Sequence, residues 1–102
     1  MSNYKASGLS KEFLTFYTKE TKRIKKVLTE MGCTKIEFSR GFYYFSGFFT
    51  APSGQVYYMS CSDIRHFAYE KLMYRTAKDY KDYTGGHNCY VKPDAINFIN
   101  FQ

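Results

Sequence analysis

The chain has no tryptophan, only two prolines and three cysteines, and far fewer acidic residues than basic ones. Each shortage excludes something. Cys33, Cys61 and Cys89 are odd in number and widely spaced. A disulfide scaffold needs pairs, so the expectation is free thiols in a reducing compartment, that is, a cytoplasmic protein. No apolar run approaches the length of a membrane span, and Met1 to Gly8 is polar, with no apolar core of a secretory leader. Internal repeats and low-complexity tracts are absent. No Gly-Lys-Ser/Thr ends a glycine-rich loop, and the glycines are too few for a dinucleotide fingerprint. Neither Cys61 with His66 nor His87 with Cys89 has the spacing of a zinc knuckle, and cysteine is a common small core residue. No metal, cofactor or catalytic residue is expected.

What is present is aromatic and basic. Apolar types make up 44% of the 102 residues, and 11 Tyr with 10 Phe bring aromatics to 21%. That is enough to build a core and to exclude global disorder, and the length suits one domain over residues 1–102, frayed at 1–8. The formal charge is +6, and its source is local. Met1 to Arg40 carries nine Lys or Arg against four acids, whereas the remainder is nearly balanced. A positive field of this kind favours anionic partners.

Leu9, Phe13, Phe16, Tyr17, Ile24, Val27, Leu28 and Met31 recur mostly at steps of three and four, the spacing of one helical stripe. Ser10 is the expected N-cap with Leu9 as hydrophobic staple, and Gly32 the expected stop, so the spacing predicts a helix from Lys11 to Met31. Ile36 and Phe38 then alternate with Lys35 and Glu37, as in a half-buried strand. Ser39, Arg40 and Gly41 read as a tight turn, and Phe42 to Thr50 as a second strand, where Gly47 marks a bulge or a close backbone approach. Ala51-Pro52-Ser53-Gly54 is a turn, and Gln55 to Cys61 a third strand. Further on, Ser62 or Asp63 is a candidate cap for a short helix carrying Ile64, Phe67 and Ala68. Leu72 to Thr76 alternates as a fourth strand, Asp79 to Asn88 is a polar loop, and Cys89 to Val91 a short apolar return. Pro93 suits the first turn of a helix bearing Ile96 and Ile99, with an extended ending as the alternative. The fold expected is α+β: one long N-terminal helix on a three- to four-stranded antiparallel sheet, with an irregular C-terminal third and possible short helices. The order helix, three strands, possible helix is similar in outline to double-stranded-RNA-binding domains. The Ala-rich closing helix with a basic N-terminal cluster is missing, and the Lys excess sits in the first helix.

Three groups of residues are candidates for function. Lys19, Lys22, Lys25 and Lys26 lie on the helix arc opposite Phe13, Ile24 and Met31, with Arg23 at the flank. Such a row can follow a phosphate backbone, and it is equally what an ordinary solvated helix face contains. The aromatics of the second and third strands cannot all point inward, since neighbours on a strand face opposite ways. Phe48 and Phe49 are expected to pack, and cover of the second face by the C-terminal segment is the plain alternative to exposed aromatics there. Tyr43 or Tyr57 is expected to be exposed, to stack on unpaired bases, enter a protein interface, or form a homodimer contact. Finally Arg75, Lys78, Asp79, Asp82, Thr84, Gly85, Gly86, His87 and Asn88 form a polar loop whose glycines would let backbone amides approach an anion. Exposed turns are rich in the same residues. The leading expectation is a small accessory protein binding nucleic acid with little sequence readout. Its rival is an adaptor or inhibitor docking on an acidic protein surface, and the third option is a ligand or enzymatic site in the 75–89 loop.

Overall fold

The computed structural model describes residues 10–66 and 68–101. Lys11–Glu30 forms helix α1, with Met31 as its C-cap. At the N-terminus the Ser10 hydroxyl accepts the Phe13 amide hydrogen at 3.0 Å, pairing an N–H that the first turn leaves free. Leu9, the expected staple, lies outside the described residues. At the other end Gly32 has φ +90°, so the Gly32 N–H reaches the Thr29 carbonyl (3.0 Å) and the Cys33 N–H that of Leu28 (2.9 Å). This is a Schellman closure, and Cys33 and Leu28 are both buried beneath it.

Five strands follow: β1 (Thr34–Arg40), β2 (Phe45–Thr50), β3 (Val56–Ser60), β4 (Leu72–Ala77) and β5 (Cys89–Val91). Each pairs antiparallel with its sequence neighbour, in the order β1-β2-β3-β4-β5. The sheet is therefore wider than the three to four strands expected. The short apolar return Cys89–Val91 is itself a strand, aligned with Leu72 to Tyr74, and three residues are too few to carry a period-two signal. The first hairpin also moves. Ser39 and Arg40 belong to β1, and the turn falls on Gly41–Tyr44, closed by the Gly41 N–H on the Tyr44 carbonyl at 2.8 Å with Tyr43 at φ +61°. Consequently β2 begins at Phe45 instead of Phe42. The irregularity in this pair lies between Thr34 and Glu37 of β1, where Lys35 has φ +50°. Gly47 is instead a close approach: the Phe38 ring lies across it, and a Cβ there would come within 2.4 Å of a ring carbon and of the Glu37 carbonyl oxygen.

Among the described residues no helix follows Ser62 or Asp63. The Asp63 carboxylate caps only a turn, accepting the Arg65 N–H at 2.9 Å, while the Ile64 N–H is drawn to the Tyr43 carbonyl at 3.0 Å. Phe67 is outside the described residues. Pro93 does open a helical segment, but a 3-10 one, Pro93–Phe98, broken at Ala95 (φ −118°). With five strands and no closing α-helix among the described residues, the outline departs from that of double-stranded-RNA-binding domains.

The sheet is covered on both faces. On one, Ile24 and Leu28 of α1 and Ile96 of the 3-10 segment pack on Phe45, Phe49, Tyr57, Met59 and Leu72. Phe101 caps this layer, 5.3 Å from the Phe49 ring and 4.8 Å from that of Tyr57. On the other face Phe48 and Tyr58 lie under Tyr80 and Tyr83 of the β4–β5 loop. Cover for the second face by the C-terminal segment was the plain alternative to exposed aromatics. That segment instead sits beside α1, filling the part of the first face that one helix cannot span, and the loop takes its place on the second.

Candidate functional site

Folding places the lysines of α1 as the helical period requires. Lys11, Lys19, Lys22, Lys25 and Lys26 are exposed, on the side opposite buried Phe13, Ile24 and Leu28. At about 1.5 Å per residue the row from Lys11 to Lys26 runs about 22 Å. No ion pair among the described residues neutralises any of the five. Arg23 behaves differently. Its guanidinium grips Glu20 through two hydrogen bonds (2.8 and 2.7 Å) and donates to the Pro93 carbonyl at 2.7 Å, while the Tyr69 hydroxyl donates to the same Glu20 carboxylate. This cluster pins the β3–β4 loop and the 3-10 segment to α1. Burial pushes the Glu20 carboxyl up, but the hydrogen bonds from Arg23 and Tyr69 outweigh it and hold the group below its ordinary value. Burial and the adjacent carboxylate push the Tyr69 hydroxyl strongly up.

The two tyrosines paired with these lysines in the sequence reading do not join them. Tyr57 is buried, only 4% exposed, stacked on Phe49 at 5.8 Å with 10° between ring planes. Its expected exposure is thus corrected: the β2–β3 register aligns Tyr57 with Phe49 on the helix-covered face and puts Tyr58 with Phe48 on the other. Tyr43 is half-buried and clamps the start of α1. Its hydroxyl accepts the Ser10 N–H at 2.8 Å, its ring meets Phe13 at 5.1 Å, and the Arg65 guanidinium lies 4.2 Å over it. The exposed aromatics are others, chiefly Phe42, Tyr83, Tyr90 and Phe98. Tyr83 and Tyr90 belong to the sheet face away from α1. An uncovered aromatic sheet face was the premise for a homodimer, and at Phe48 and Tyr58 the loop has already covered it.

The polar loop is largely committed to its own shape. Arg75 is 4% exposed, lies 4.5 Å over the Tyr58 ring, and donates to the carbonyls of Asp82 (2.8 Å) and Thr76 (3.3 Å). The Asp82 carboxylate accepts the N–H groups of Lys78 (2.9 Å), Gly85 (2.9 Å) and Thr84 (3.2 Å). The Lys78 amide is the largest of the influences that lower its carboxyl from the ordinary value. Asp79 accepts the Lys81 N–H at 2.8 Å. Gly86 takes φ +84° with its backbone tight against Thr76, where a Cβ would lie 2.5 Å from the carbonyl oxygen. Lys78, Thr84, His87 and Asn88 are exposed, and among the described residues no hydrogen bond joins their side chains to Asp79 or Asp82. Of the two glycine amides expected to approach an anion, that of Gly85 meets Asp82.

Among the described residues no three His, Cys, Asp or Glu side chains gather as metal ligands. Cys61 is buried while His66 is exposed, and the Cys89 thiol faces the His87 carbonyl at 3.8 Å. No described helix is long and apolar enough to cross a membrane. Comparison of the chain with protein-family models, with curated proteins and with solved structures gives no match.

Proposed function

We propose that this protein binds nucleic acid through the phosphate backbone, with little sequence readout, using the solvent face of α1. The observation that carries the reading is the row Lys11, Lys19, Lys22, Lys25 and Lys26: five exposed ammonium groups on one rigid helix, with no ion pair to any of them among the described residues. Arg23 supports the site from behind, by holding the chain against α1. The row is made of lysines alone, which suit phosphate contacts, so binding is electrostatic. The three free cysteines agree with a cytoplasmic setting.

Five phosphate contacts on duplex DNA would give a slope of log K against log salt near about −4.5, roughly a 500-fold loss of affinity between about 50 and about 200 mM. Fluorescence anisotropy with labelled single- and double-stranded DNA and RNA over a salt series tests this. The pair Lys22→Glu and Lys26→Glu, both exposed, should weaken binding and flatten the slope by about 2 with the fold intact. Absence of binding at low salt, beside saturable binding to an acidic protein, would transfer the same lysines to protein docking.

A further inference from the structure

On the sheet face away from α1, a cleft of about 200 Å³ opens between β1 and the β4–β5 loop. Its walls are Tyr80 and Tyr83, with Phe48 between them, and Glu37, Ser39 and Ser46 line the side formed by β1 and β2. The rings are held from several directions. Tyr80 lies 5.6 Å from Phe48, its hydroxyl within 2.7 Å of the Thr50 hydroxyl and donating to the Lys35 carbonyl at 2.8 Å. Tyr83 meets Phe48 at 5.3 Å and Tyr58 at 5.9 Å, both edge-on, yet remains 63% exposed. Glu37 stands opposite Phe48 in the β1–β2 register, so its carboxylate rises on the same face as the rings. It takes part in no hydrogen bond or ion pair among the described residues, and no lysine or arginine lines the cleft.

From this arrangement we infer that the cleft binds a methylated ammonium group. Aromatic faces are electron-rich and attract cations, above all cations whose charge sits under methyl groups that pack against a ring. Glu37 supplies the countercharge and repels phosphate, so the cleft is distinct from the lysine face, on the opposite layer, and owes nothing to Lys22 or Lys26. The volume decides the size of the ligand. It lies below the roughly 300–1,000 Å³ of pockets that enclose drug-sized molecules, so it admits a head group and no more. A trimethylammonium fits that description, carried on a free choline-like molecule or on a trimethylated lysine of a peptide.

The test is an amide-resolved NMR titration of the full chain with tetramethylammonium chloride, against sodium chloride at matched ionic strength. Saturable shifts at Glu37, Ser46, Phe48 and Tyr83 are expected. Glu37→Gln, an exposed and nearly isosteric change, should weaken binding about fivefold. Tyr83→Leu keeps an apolar wall without the π face and should weaken it about threefold. Choline and N-acetyl-trimethyl-lysine amide, titrated separately, distinguish a free ligand from a peptide-borne one. No saturable shift with tetramethylammonium would overturn the proposal. So would unchanged affinity in Glu37→Gln, or equal binding of neutral tert-butanol, which would leave only an apolar dent.

Discussion

Changing Tyr69 to Phe deletes one oxygen and, with it, one hydrogen bond to the Glu20 carboxylate. A hydrogen bond to a charged group contributes about 1.5–3 kcal/mol. Glu20 keeps both bonds from Arg23, so it is not left unpaired, and the lower part of that range applies: about 1.5–2 kcal/mol. For a domain of this size that lowers Tm by roughly 10 °C. The pH dependence identifies the cause. The folded-state pKa of Glu20 is depressed, so its contribution is fully present above the unfolded value of about 4.3 and is lost as pH falls through the folded one. Tyr69→Phe removes part of that depression. The stability gap between the variant and the parent should therefore be wide at about pH 7 and narrow at about pH 3. Urea denaturation of both proteins at the two pH values measures it. A gap under about 0.5 kcal/mol at neutral pH, or an equal gap at both, would refute the assignment of Tyr69 to this carboxylate.

Two further outcomes follow from the geometry. Gly86→Ala combines positive φ with a Cβ 2.5 Å from the Thr76 carbonyl oxygen, and should cost about 2–3 kcal/mol, read as a lower urea midpoint with unchanged m. Burial pushes the Cys61 thiol up to about 11 and also raises that of Cys33, while Cys89 is half-buried. Ellman's reagent should accordingly modify Cys89 first in the native protein and reach Cys33 and Cys61 only in denaturant; comparable rates at all three would contradict this packing.

The helix and its caps were legible because their determinants are local: a side-chain stripe, a serine three residues before the amide it caps, a glycine just past the last turn. The tyrosines of β3 were not. Tyr57 and Tyr58 are chemically alike neighbours, and only the pairing with β2, set by non-local registry, decides which one α1 covers. Arg23 reads as a fifth member of the basic row although Glu20 stands one helical turn away, because what holds that pair in place is remote: Tyr69 on Glu20 and the Pro93 carbonyl 70 residues from Arg23. The loop from Arg75 to Asn88 has a composition shared by ligand loops and turns alike, and the bonds made by Asp82 and Arg75 show what those groups hold together. Glu37 was assigned to a strand, but its place beside Tyr80 and Tyr83 depends on a loop more than 40 residues on.

Because every strand pairs with its neighbour in sequence, the sheet can assemble from successive hairpins with short loop closures. Its α1-side layer cannot be finished that way. Phe49 and Tyr57 receive the last of their cover from Ile96 and Phe101, which leave the ribosome more than 35 residues after Tyr57. During synthesis there is thus an interval in which the central strands are paired and two stacked rings lack part of their cover, a surface on which a nascent chain would recruit a chaperone or aggregate. Arrival of the 3-10 segment ends that interval, so substitutions at Ile96 or Phe101 would act on the yield of folded protein as much as on the stability of what folds.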